Sequence, residues 1–277
     1  MRRRLTVIGA SDTIDGVSKL SVSEPEVVKL EPQVSCNCSQ DATCLSVGRM
    51  YIYRFFPPSY YYFSQPRSAV RCAVTEYSGV SKKGHAPYNP RKKNQDALVM
   101  AADPATNTLV LCVLDGHGEH GDAVSASFRE QLATEMFNHP AWATDLRKAS
   151  GDSIAKIEHS IIRNFRIDTE FSGTTLSMAI IRGNTVTGVN IGDSRVILAK
   201  EEAGRLVPVE ITFDHKPDSP AEKERIIACG GRVFAVEYDD GIDGPMRVWL
   251  GHMDVPGLAM SRCVKSKMLL LSWVKIV

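Results

Sequence analysis

Residues 108–122 read TLVLCVLDGHGEHGD. From Thr108 to Leu114 the stretch is nearly all apolar and ends in Asp-Gly, the pattern of a β-strand buried on both faces. Beyond it Val124, Phe128, Leu132 and Met136 recur every fourth residue, which marks one face of a helix. The glycine-rich turn between them carries two histidines and three carboxylates. An aspartate at the end of a buried strand offers its carboxylate to a cleft, and the glycine after it lets backbone carbonyls approach a cation because no Cβ intrudes.

The elements on either side extend this pattern. VRCAVTEYSG (70–79) partly alternates and closes in a turn signal, so a strand is expected there. Ile154, Ile157, Ile161, Ile162 and Phe165 predict a second amphipathic helix. TLSMAII and TVTGVNI flank Arg182-Gly-Asn184 as a hairpin, and turns at Gly192-Asp193 and Glu201–Arg205 lead into SRVILAK and LVPVEIT. Ser219, Pro220 and Glu222 form an S-x-x-E capping box with proline at the first helical position, and Gly230-Gly231 stops that helix. RVWL (247–250) reads as one more strand. Strands joined as hairpins and interspersed helices make this an α+β plan rather than a βαβ repeat.

Bulk properties narrow the function. The chain has 277 residues, 43% hydrophobic and 23% charged, enough for one large domain or two small ones. A net charge of +1 exerts no bulk pull toward nucleic acid or acidic lipid, so neither is an expected partner. Seven cysteines, an odd number in a long chain, argue against a secreted disulfide framework. Cys36, Cys38 and Cys44 lack a fourth zinc ligand nearby and are expected as free thiols. The N-terminal apolar run Leu5–Ala10 is short for a signal peptide, and Met268–Val277 is about half the ~20 residues a membrane span needs. Cytosol or nucleus is the expected compartment. Residues 1–69, including the aromatic run YIYRFFPPSYYYFSQP (51–66), are expected to be a poorly ordered extension, with docking of a partner on the aromatics as the sharper reading.

Hard cations such as Mg²⁺ or Mn²⁺ take oxygen ligands, which nominates Asp115 and the Gly116 carbonyl. His117 suits proton donation to a leaving oxygen, because its ordinary pKa of ~6.5 lies near neutrality. His120 is expected to face solvent, and Glu119 and Asp122 to favour the helix N-terminus electrostatically. The competing parse, D-x-H-x-x-H-x-D as a zinc hydrolase cluster, lacks the further histidines that such sites draw on.

Taken in order, the chain carries RKKNQDAL (91–98), VLDGHGEHG (113–121), SGTTL (172–176), NIGDSRVIL (190–198), DHKPDSPAEKERIIACGGRV (214–233) and VPGLAMSR (255–262). This series resembles the metal-dependent protein phosphatases, the type 2C serine/threonine family, over residues 70–262. The resemblance implies a β-sandwich flanked by helices in α-β-β-α layers, with a two-ion Mn²⁺ or Mg²⁺ centre in a cleft at one end. It places Asp115 between both ions, with the Gly116 carbonyl, Asp96 and Gln95 as further ligands and Asp193 at a weaker site. It makes Arg91 the arginine that grips phosphate and His117 the acid that protonates the departing serine or threonine oxygen, after direct attack by a metal-activated water. Phosphoproteins are the implied substrates.

Two departures qualify this. Gln95 stands where many members carry glutamate, and an amide neutralises two dications less well. After GLAMSR the family continues with Gly-Asp and two more metal-binding aspartates, whereas this chain reads CVKSKMLLLSWVKIV over 263–277, and Asp254 is its last aspartate. The domain is therefore expected to be incomplete at the C-terminus, with weakened metal binding. The alternative function is then a catalytically impaired, phosphatase-like binding or regulatory protein. A monomer is expected if the domain is intact, and association through exposed sheet edges if it is not.

Overall fold

The computed structural model describes residues 70–264, apart from 75–76, 85–86, 88, 90 and 237–243, together with the backbone of three short strands nearer the N-terminus. The strands are β1 (Thr6–Val7), β2 (Val27–Lys29), β3 (Tyr62–Gln65), β4 (Tyr77–Val80), β5 (Asp96–Asp103), β6 (Thr108–His117), β7 (Gly173–Thr174), β8 (Leu176–Arg182), β9 (Thr185–Ile191), β10 (Arg195–Glu202), β11 (Arg205–Glu210), β12 (Arg232–Phe234), β13 (Arg247–Trp249) and β14 (Pro256–Leu258). Among the described residues the helices are α1 (Gly121–Phe137), α2 (Leu146–Arg163) and α3 (Pro220–Ala228). The zinc-ligand question at Cys36, Cys38 and Cys44, most of the extension, and the tail after Val264 lie outside the described residues.

The central sheet runs β2-β9-β8-β6-β5, with β7 added beside the end of β6. The apolar run of β6 explains why it sits inside. Val110, Cys112 and Leu114 face α1 and α2, joined by Val99, Met178 and Ile180 from neighbouring strands. The alternate residues Leu109 and Leu111 face the other way, where Val196, Leu198 and Ile211 from the β10–β11 region cover them. Side chains alternate along a strand, so only a strand apolar at successive positions fills both interfaces.

On the helical side Val124, Phe128, Leu132 and Met136 are all fully buried, as their spacing predicts. Removing one such side chain from water stabilises the fold by ~1.5–3 kcal/mol. α2 contributes Ile154, Ile157 and Ile161. Asp145 caps it by accepting a hydrogen bond from the Lys148 amide at 2.9 Å. The helix ends at Arg163, so Phe165 falls beyond it and is 92% exposed rather than on the buried stripe. A third sheet, β12-β13-β14, shares a small core of Ile226, Val248, Met260 and Cys263 with α3.

Two local expectations need correction. Val70–Ala73 forms bends, and the strand begins only at Tyr77. Ser219 occupies the N-cap of α3 but makes no side-chain cap bond, and the Glu222 carboxylate is engaged by two arginines while the Ser219 amide donates to the Lys216 carbonyl.

Candidate active site

The β5–β6 ladder begins with Asp96 directly opposite Asp115. Directly opposed residues share one face with Cβ atoms ~4.5–5.5 Å apart, where two like charges repel. A sheet that places two carboxylates there gains a cation-binding edge in exchange for that repulsion. The flanking residues then fix the backbone. Asp115 donates its amide to Thr175 Oγ1 at 3.0 Å and accepts from the Thr175 amide at 3.0 Å. Thr175 Oγ1 in turn lies 2.6 Å from Ser194 Oγ. The SGTT and GDSR blocks, separate in sequence, both support the strand that carries Asp115.

Gly116 donates to the Gln95 carbonyl at 3.1 Å, and a Cβ at this position would stand 2.5 Å from that oxygen and from the Gly121 carbonyl oxygen. No larger residue fits. Gly118 adopts φ +79°, the left-handed turn that directs the chain from β6 into α1. Gln95 Nε2 donates to the Gly118 carbonyl at 2.5 Å, which holds that turn and leaves Oε1 as the oxygen a cation would use. Ser125 Oγ also donates to the Gln95 carbonyl, at 2.7 Å, so α1 is tied to the same loop.

His117 is 5% exposed and forms part of the wall of a cavity of about 410 Å³, shared with Phe171, Arg247 and the 255–260 segment. The chain reaches this cavity because Val264 exchanges two backbone hydrogen bonds with Thr174, at 2.8 and 3.0 Å, and β7 pairs with Gly116 and His117. VPGLAMSR and DGHG thus become neighbours across β7. His120 does not face solvent as expected. It is half-buried, its amide donates to Ser172 Oγ at 3.0 Å, and Nδ1 accepts from the Asp168 amide at 2.7 Å. Asp122 pairs with Lys93 at 2.7 Å.

Arg91 stands exposed in the turn that leads into β5. Asp193 lies at the far side of the Thr175–Ser194 link, where Lys216 Nζ meets Oδ2 at 2.6 Å. A cation at Asp193 would have to compete with that ammonium. Asp214, which the sequence reading did not single out, joins the same chain of charges through Lys216 at 3.8 Å and pairs with Arg195 at 2.7 Å. Of the nominated residues, the fold brings Gln95, Asp96, Asp115, Gly116 and His117 to one strand end, with Asp193 reached from Asp115 through Thr175 and Ser194.

Among the described residues no group of three or more His, Cys, Asp or Glu side chains is arranged to hold a metal. What is present fits a hard cation in kind: two opposed carboxylates, an amide oxygen and the Gly116 carbonyl, all oxygen donors.

The Protein phosphatase 2C family profile matches residues 82–264. Probable protein phosphatase 2C 73 of Arabidopsis thaliana is 34% identical over 202 residues, which cover 62% of this chain and 53% of that protein. Probable protein phosphatase 2C 72 of the same plant is 38% identical over 184 residues, covering 61% and 54%. Probable protein phosphatase 2C 64 of Oryza sativa subsp. japonica is 38% identical over 181 residues, covering 61% and 41%. The chain thus spans about half the length of the curated relatives it matches. A crystal structure of a serine-threonine phosphatase 2C from Toxoplasma gondii superposes with a TM-score of 0.56 at 18% identity, over 89% of this chain and 74% of that one, a likeness of fold. By profile, by relatives and by the order of its motifs, the chain belongs to the protein phosphatase 2C family.

Proposed function

We propose that this chain is a metal-dependent protein serine/threonine phosphatase that hydrolyses phosphoserine and phosphothreonine in proteins. The observation that carries the reading is the Asp96–Asp115 register, with Gly116 and His117 following on the same strand. Asp96, Asp115, the Gly116 carbonyl and Gln95 Oε1 would hold Mn²⁺ or Mg²⁺, two ions in the family's manner, and such ions make water a strong nucleophile near neutral pH and neutralise phosphate charge. The chain's own residues supply the rest. Arg91 grips phosphate oxygens through paired guanidinium donors. His117, held at the cavity wall, gives a proton to the departing serine or threonine oxygen. Thr175 and Gln95 hold the backbone of the Asp115–Gly118 turn, which sets Asp115, Gly116 and His117 together at one strand end.

The test uses the full chain, a phosphothreonine peptide and added Mn²⁺, with Asp115→Asn in parallel. Manganese-dependent phosphate release, lost in the variant, is the expected outcome. Melting provides a readout independent of turnover. Mn²⁺ should raise the melting temperature of the native chain and not of Asp115→Asn. Without metal the variant should be the more stable of the two by ~0.2–1 kcal/mol, since it removes a like-charge pair. A folded chain that binds the peptide without turning it over would refute the enzyme reading in favour of the impaired binding protein.

A further inference from the structure

The cavity beside His117 contains a cation that the proposed reaction does not use. Arg247, half-buried at the start of β13, forms part of its wall and donates Nη1 to the Gly257 carbonyl at 2.6 Å. That bond fixes the guanidinium on the 255–260 segment, and among the described residues it occupies one of its donors. No ion pair joins Arg247 to a carboxylate among the described residues. Phe171, Val255, Pro256 and Leu258 supply the apolar part of the surrounding wall, with Phe171 and Val255 exposed at 36% and 39%. At about 410 Å³ the space exceeds what one phosphate needs and falls within the range of ligand pockets.

We propose that this cavity is a second substrate subsite, which takes an anionic side chain of the phosphopeptide close to the residue being dephosphorylated. The inference rests on the phosphatase reading, in which His117 faces the leaving serine or threonine oxygen. The peptide's own backbone must then pass His117, and the next open space along that wall is the Arg247 cavity. A partly desolvated guanidinium binds a carboxylate or a second phosphate by charge-assisted hydrogen bonds. The apolar walls accept the methylene stem of a glutamate. A neutral side chain of the same shape leaves the guanidinium's charge unmatched.

The experiment measures binding to the full chain by fluorescence anisotropy. Labelled peptides carry a non-hydrolysable phosphonate analogue of phosphothreonine, and each flanking position in turn is glutamate, glutamine or phosphoserine. At one flanking position glutamate should bind about two- to fivefold tighter than glutamine, the range of a partly exposed charge pair, with phosphoserine reporting whether a second phosphate serves better. Arg247→Ala should erase that preference and leave affinity for the glutamine peptide unchanged, while Arg247→Lys retains part of it. Indifference to the flanking charge, or a preference that survives Arg247→Ala, would overturn the subsite alone. So would equal loss for both peptides, which would make Arg247 a structural residue. If the phosphonate confers no advantage over unmodified threonine, the phosphatase reading fails and the subsite falls with it.

Discussion

Replacing Glu222 by glutamine tests how the α3 region is held. Glu222 sits 8% exposed in the first turn of α3. Arg225 Nη2 donates to it at 2.6 Å, and Arg262, forty residues away, reaches both of its oxygens through Nε and Nη2 at 2.6–3.1 Å. Burial alone would raise its pKa, but the hydrogen bonds from Arg262 and Arg225 outweigh that and hold it down, from 4.5 to about 2. A tenfold change in acidity is worth ~1.4 kcal/mol, so the carboxylate contributes about 3 kcal/mol to stability at neutral pH. Because the folded value lies below the unfolded one, that contribution is complete above pH 4.5 and is lost as pH falls toward 2. Glu222→Gln should therefore cost about 3 kcal/mol at pH 7, and more if Arg225 and Arg262 cannot separate once their shared anion is gone. Urea unfolding followed by tryptophan fluorescence at several pH values measures both effects. The difference between native and variant chains should shrink steadily between pH 4.5 and 2. A cost under ~1 kcal/mol at pH 7, or two curves that stay parallel in acid, would refute the assignment of Glu222 as the anion that holds this region.

Two further outcomes follow from the same geometry. Burial first, and then the Arg262 charge, lower the His215 pKa from 6.5 to about 4 against the opposing pull of Glu222. The unfolded chain therefore binds a proton that the folded chain refuses, and native stability should fall as pH drops from 6.5 to 4. In His215→Asn, whose amide oxygen can replace Nδ1 as acceptor for the Gly192 amide, that slope should vanish in pH-dependent urea titrations. Thr175→Val should cost ~1–3 kcal/mol in urea unfolding, because it leaves the part-buried Asp115 amide without its hydroxyl acceptor, and it should also raise the Mn²⁺ concentration needed for thermal stabilisation.

Where the periodicity is clean, the fold is legible. Leu109–Leu114 is apolar at every position and became the strand buried on both faces, and the four-residue repeat of α1 became its fully buried stripe. Periodicity misled where a local signal ended unseen. Phe165 continues the α2 spacing, but Asn164 takes an extended conformation and stops the helix one residue earlier. The Ser219–Glu222 capping box is correct as spacing, yet an arginine remote in sequence offered Glu222 a stronger charge-assisted partner than a backbone amide. β5 went unread because DALVMAAD alternates weakly and ends in turn formers. Its consequence, Asp96 facing Asp115, is a matter of register between strands, and no local pattern states register. Asp115, Gly116 and His117 were legible because the chemistry of a buried strand ending in Asp-Gly is local. Arg247 was not, because its place at the cavity depends on a β13–β14 hairpin and on its bond to Gly257.

The segment 255–264 links the stability of the fold to the shape of the site. The Ser261 amide donates to the His215 carbonyl at 2.9 Å, Arg262 is locked on Glu222, and Val264 is bonded on both sides to Thr174. Immediately before these anchors the same segment forms the wall of the cavity that faces His117. Little of this anchoring is apolar, since the third sheet's own core is four buried residues. A buried ion cluster adds less net stability than a hydrophobic replacement would, because desolvation offsets most of its Coulomb energy. Its geometry, however, is directional, and it fixes where the segment sits. The division of labour is therefore physical. The doubly packed central sheet supplies the free energy that holds Asp96 against Asp115, and the Glu222–Arg262–His215 cluster sets the distance between that pair and the wall a substrate would touch. Changes in the cluster should on this account alter peptide affinity even where the sandwich remains folded, whereas changes in the sheet core should remove both together.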